Sequence, residues 1–240
     1  MKRQLTQTPE AAPAAARETP RDPILLIDRF LPRYDFAVVH ADVFRAPPEA
    51  CYRLARGLDL LRDPVIRTLL VIRSLPERLL GRLPGHRAPA AGAEAPPPTF
   101  RLDDMVGPPL GWILLGEEPN VEIVLGQIGQ PWKPVGASAG PPVAPAEFAS
   151  FDRPGFAKVA FSLLVQPYGV ASSILTMETR VVLTDPGSRR RFARYWRLVE
   201  PSVRLIDRMT LRLLAAELRR PTSTGSSIGT SATGTEHGTG

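Results

Sequence analysis

The chain has one cysteine, Cys51, in 240 residues. That excludes an intrachain disulfide and a zinc site built on several thiolates. Histidine is nearly as scarce: His40 falls in a predicted strand, His86 in a linker and His237 in the C-terminal tail. No His/carboxylate cluster at ligand spacing is visible, so neither a metal nor any other cofactor is expected. Lys2, Lys133 and Lys158 are the lysines, so the formal charge of +6 comes almost entirely from arginine. Alongside abundant Ala, Gly and Pro, this bias reads as the mark of a GC-rich genome rather than of a polyanion-binding protein. Long apolar runs are missing too. The stretch from Leu110 to Leu115 is far shorter than the roughly 18 residues a membrane span needs. Met1 to Arg21 carries no apolar core of a secretory signal, and the expected location is cytoplasmic. Catalytic signatures are likewise wanting: there is no G-x-S-x-G and no P-loop, and Gly126 to Gly129 lacks the spacing and following helix of a phosphate cradle.

What remains is one domain between polar ends. Residues 1–22 read as a disordered leader and 221–240, rich in Ser, Thr and Gly, as a disordered tail. Between them, 23–220 reads as a single domain interrupted by flexible loops at 84–98 and 136–145. Ile24 to Phe30 is a short apolar arm. Tyr34 to Arg45 alternates as a first strand, and Ala46–Pro47–Pro48–Glu49 opens a helix carrying Cys51, Leu54 and Leu58. Leu60 to Leu83 reads as two short helices broken at Pro76, either a lid packed on the domain or a membrane-surface element. Leu102 to Val106 reads as a helical turn. Strands are expected over Pro109–Glu117 and Val121–Ile128, and a helical turn over Ala146–Phe151.

The last third organises the rest. Phe156 to Gln166 is a β-type run, Pro167–Tyr168–Gly169 is turn chemistry, and Ala171 to Thr184 is a second β-type run. Asp185–Pro186 then supplies an N-cap and a first helical position. Phe192, Trp196, Val199, Val203, Ile206, Thr210 and Leu213 follow at spacings of three and four, which predicts one long amphipathic helix. Pro201 inside it favours a kink.

The order of strand, short helices, antiparallel strands and long C-terminal helix predicts an α+β chain. The phrases "FRAPPEACYRLA" (Phe44 to Ala55) and "TMETRVVLTDPGSRRRFARYWRLVEP" (Thr176 to Pro201) resemble the first strand–helix and last strand–helix junctions of the SRPBCC superfamily. These are the START-like, polyketide cyclase/dehydrase-like helix-grip proteins. With "EIVLGQIGQPW" (Glu122 to Trp132), the likeness extends to an actinobacterial-type branch of uncharacterised members, over about Tyr34 to Arg219. The resemblance implies a curved antiparallel sheet wrapped around the C-terminal helix with an apolar gap between them. It carries over no catalytic residue.

Candidate lining residues of that gap are Trp112, Leu114, Ile123, Leu125, Gln127, Trp132, Phe161, Leu163, Leu175, Met177, Trp196, Val199, Val203 and Ile206. The same residues would equally make an ordinary filled core. Glu178, Arg180 and Glu122 are the polar candidates, and hairpin register decides their role. If Ala157, Val159, Phe161, Leu163 and Val165 share a face with Leu175, Met177, Val181 and Leu183, then Glu178 and Arg180 point outward as a solvated charge set near Lys158. A slip of one residue would instead bring them beside Phe161. Three functions stay open: binding of a hydrophobic small molecule, lipid or polyketide-like; a cyclase/aromatase-like reaction using a pocket carboxylate; and a membrane-surface or protein-interaction role for the arginine-rich helix. Nucleic acid is disfavoured, because no recognition motif or interleaved aromatics accompany the arginines.

Overall fold

The computed structural model describes residues 25–69, 99–108, 110–133 and 140–220. The leader, the tail, the 84–98 loop, Pro76 and residues 136–139 of the 136–145 loop lie outside the described residues.

Five strands form one curved antiparallel sheet: β1 (Phe36–Phe44), β2 (Ile113–Glu118), β3 (Glu122–Gly129), β4 (Ala157–Tyr168) and β5 (Ser172–Leu183). Their order is β1-β5-β4-β3-β2, so β2 to β5 run as a meander and β1 closes on the free edge of β5. Two turns need left-handed backbone: Asn120 (φ 65°) joins β2 to β3, and Gly169 (φ 70°) joins β4 to β5. β4 runs on through Pro167 and Tyr168, which pair with Ser173 and Ser172, so the turn sits two residues later than its sequence chemistry suggests.

The helices divide between the two faces. On the inner face lie α2 (Pro48–Gly57) and the long α5 (Pro186–Leu218). On the outer face lie α1 (Leu26–Phe30) and α4 (Pro145–Phe148). Short helical pieces follow α2 at Leu60–Arg62 and at 64–69 (α3), and another turn spans Asp103–Met105. α5 begins where its sequence requires. Asp185 Oδ1 accepts from Ser188 N (2.9 Å), and its Oδ2 accepts from Ser188 Oγ (2.6 Å) and from Gly155 N (2.7 Å). These bonds hold its carboxyl down at about 2. The cap thus ties the start of α5 to the start of β4. The helix continues unbroken past Pro201, which is exposed, so the carbonyl it leaves unpaired is on the solvent side.

Inner-face packing forms two apolar clusters. One joins Phe44, Cys51, Tyr52, Leu163, Val165, Leu175 and Met177 to Leu211 and Leu214 of α5. The other is aromatic: Phe192 stacks on Trp196 (5.5 Å), meets Phe36 (5.1 Å) and takes Trp132 edge-on (6.2 Å). A third cluster, on the outer face, packs Ile27, Leu31 and Phe148 on Leu115, Val124, Ile128 and Ala160. A bulge between Leu114 and Gly116 leaves Leu115 unpaired on this side and sets Gly116 opposite Val124. Gly126 makes that contact feasible, because a Cβ there would lie 2.6 Å from Leu115 Cδ1 and 2.9 Å from Phe148 Cε2. Gly126→Ala should therefore cost about 1–3 kcal/mol in urea unfolding, through overpacking beneath α4.

Candidate functional site

β4 and β5 pair with Phe161 opposite Thr179 and Leu163 opposite Met177. The two apolar faces coincide, so Glu178 and Arg180 lie on the face opposite α5. The expectation that they form a solvated set near Lys158 is corrected. That face is covered by α1 and α4, and Glu122, Lys158, Ser162, Glu178 and Arg180 are all buried.

Each buried charge fastens a covering segment. Glu122 accepts from Leu26 N (2.7 Å), Ile27 N (3.2 Å) and Ser162 Oγ (2.7 Å), capping the start of α1 from the sheet. Arg180 bonds Glu178 through Nε (2.6 Å) and Nη2 (3.3 Å). Its Nη1 reaches Asp28 (2.6 Å) and the Leu31 carbonyl (2.9 Å), and its guanidinium stacks over Tyr34 (4.9 Å). Burial works against this charge, but Glu178 and Asp28 outweigh it and hold the guanidinium above its ordinary pKa. Lys158 donates to the carbonyls of Ala149 (2.8 Å) and Phe148 (3.4 Å) at the end of α4, and burial lowers its pKa. Glu122, Glu178 and Arg180 therefore clamp segments to the outer face and do not line the space beneath α5.

On the inner face the structure assembles a pair that sequence reading missed. His40 Nδ1 of β1 and Asp207 Oδ2 of α5 are 3.1 Å apart. They are 167 residues apart in the chain, so no local spacing signals them. Burial pushes the Asp207 carboxyl up to about 6, against the opposing pull of His40 and Arg204. One turn along α5, the buried Thr210 hydroxyl has no hydrogen-bond partner. An unpaired buried hydroxyl is costly and invites a partner.

The predicted lining residues separate into two groups. Ile123, Leu125, Leu163, Leu175, Met177 and Trp196 are buried in the packed clusters. Trp132 is packed on Phe192, and its indole N–H is buried without a partner. Gln127 is held by a bond from Nε2 to the Leu110 carbonyl (2.7 Å), and Leu114 sits on the edge strand at 37% exposure. Trp112, Phe161, Val199, Val203 and Ile206 are only partly buried, as are Val159 and Thr179 of the same sheet face. α5 lies along β1 and β5, which leaves the middle of β4 less fully covered.

An open cleft of ≈ 370 Å³ lies elsewhere, between α2 and the β2–β3 turn, lined by Tyr52, Arg56, Asp103, Glu117 and Asn120 among others. Its charges answer one another: Arg56 bonds Asp103 (2.9 Å) and Glu117, and Tyr52 donates to Glu117 (2.9 Å). Among the described residues no group of three His, Cys, Asp or Glu is placed to hold a metal, and no helix is long and apolar enough to cross a membrane.

No family model matches the chain, and no curated protein matches it. Among solved structures it is similar to a crystal structure of a Deinococcus radiodurans protein, with 16% identity and a TM-score of 0.26. The match covers 68% of this chain and 95% of that one.

Two predictions follow from these contacts. Arg180→Met leaves the buried Glu178 carboxylate and the Leu31 carbonyl without their partner and removes one bond from the partly exposed Asp28. It should cost about 3–5 kcal/mol in denaturant unfolding and speed tryptic cleavage after Arg29. For Asp207, a folded pKa of about 6 against 3.8 means the native state binds the extra proton. Stability should then fall as pH rises from about 4 to about 6, and Asp207→Asn should flatten that slope in thermal melts.

Proposed function

We propose that this chain is a helix-grip protein of the START-like SRPBCC type that binds a largely hydrophobic small molecule, lipid or polyketide-like, between α5 and the inner face of the sheet. The observation that carries this reading is the stripe Val199, Val203 and Ile206 on α5. It faces inward at the middle of the domain and yet stays partly exposed, as do Val159 and Phe161 on β4. Apolar side chains at the centre of a filled core would be sealed. Small-molecule sites combine such walls with a few fixed polar groups. Here the polar groups are the His40–Asp207 pair and the free Thr210 hydroxyl, which continues the stripe at the same helical spacing. A guest oxygen hydrogen-bonded to Thr210 would relieve its unpaired state.

A cyclase-like reaction using Glu178 or Glu122 is less well supported, since both carboxylates are engaged on the outer face. The test is native mass spectrometry and solvent extraction of the purified protein, followed by titration with a fluorescent fatty acid. Bound apolar species should be recovered, and Val203→Trp should abolish both signals while costing no more than about 3 kcal/mol of stability. Recovery of no guest, together with no fatty-acid binding by the unaltered protein, would sink the proposal.

A further inference from the structure

The side of α5 turned away from the sheet has a composition of its own. Arg190, Arg191, Arg194, Arg197, Arg208 and Arg212 are all exposed. With 100° per residue, these six fall within about a third of the helix circumference. Leu198, 80% exposed, and Leu205, 36% exposed, lie in the same arc. From Arg190 to Arg212 the stripe is about 33 Å long at 1.5 Å per residue. No carboxylate interrupts it. The acids of α5 are occupied elsewhere: Glu200 bonds Arg204, Glu217 bonds Arg62 and Arg220, and Asp207 is buried against His40. Asp35 pairs with Arg189, at the flank. Among the described residues no acid pairs with the six arginines.

A solvated helix face normally mixes both signs of charge, because i,i+4 pairs stabilise it and like charges repel. Six unpaired guanidinium groups along one line are self-repelling unless an anionic surface neutralises them. The shape of that surface follows from the geometry. The stripe is straight and convex, so it fits a plane rather than a small anion. The leucines decide between planes. Leu198 stands fully into solvent amid the arginines, where a phosphate backbone offers it nothing and a bilayer interface takes up its side chain.

We infer that the outward face of α5 docks on the headgroup region of an anionic lipid bilayer, with Leu198 and Leu205 entering the interface and the arginines lying among the phosphates. This surface is on the opposite side of α5 from the proposed ligand site and does not depend on it. In such a pose the rod lies parallel to the membrane, between it and the inner face of the sheet, and the outer face with α1 and α4 is turned away.

The experiment is co-sedimentation of the full chain with vesicles of phosphatidylcholine alone or with about one third phosphatidylglycerol, at about 0.05 M and 0.5 M salt. Binding is expected to the anionic vesicles at low salt only. Arg194→Ala/Arg197→Ala and, independently, Arg208→Ala/Arg212→Ala should each weaken it about 25-fold, from about fivefold per arginine near an anionic surface. Leu198→Ser should weaken it at least about threefold. These side chains are exposed, so circular dichroism should show the variants folded as the parent is. Two results overturn the inference: no binding to anionic vesicles at low salt, or tighter binding to duplex DNA that the arginine pairs weaken and Leu198→Ser leaves unchanged.

Discussion

Arg180 lies at the middle of the sheet's outer face, shielded from water, and its charge must be answered within the protein. Three residues do so with four oxygens: a bidentate grip on Glu178, a bond to Asp28, and a bond to the Leu31 carbonyl. Two of those groups belong to the segment that precedes β1. The arm is thus held by a buried charge that it in turn helps to neutralise. Glu122 repeats the arrangement two strands further over, with the amides of Leu26 and Ile27 among its donors. Lys158 repeats it for α4. A buried ion of this kind contributes little net stability but strongly penalises any arrangement that leaves it unpaired. The outer face therefore specifies where its covering segments sit.

With that face closed, the two sides of the sheet have different roles. Outside, packing is small and tight, to the point that Gly126 admits no Cβ without a shift of Leu115 or Phe148. Inside, α5 packs at its two ends, through Phe192 and Trp196 near its start and Leu211 and Leu214 near its close. The stretch between carries the partly exposed apolar stripe, the His40–Asp207 contact and the unpaired Thr210. A rod fixed at both ends over a curved sheet leaves its middle free to serve something other than stability.

Much of this was legible residue by residue. The N-cap and first-turn proline placed the start of α5, and the three-four spacing chose its inward face. The alternation in β4 and β5 identified their shared apolar side. What misled was the assumption that polar residues on the second face meet water. Alternation says that Glu178 and Arg180 share a face; it is silent on what covers that face, because the cover comes from Leu26 to Leu31, some 150 residues away. His40 and Asp207 escaped notice for the same reason. Each looks ordinary in its own element, and only the laying of α5 along β1 brings them within 3.1 Å.

The sequence alone determined periodicities: which stretches are strands, where the long helix starts, and which side chains of each element point together. These depend on neighbours within a few positions, and local sterics and hydrogen bonding settle them. Tertiary structure alone decided which face would be sealed, which charges would be buried and which hydroxyl would be left unpaired. Those outcomes depend on desolvation, and whether a group loses its water is set by whatever distant segment comes to rest on it.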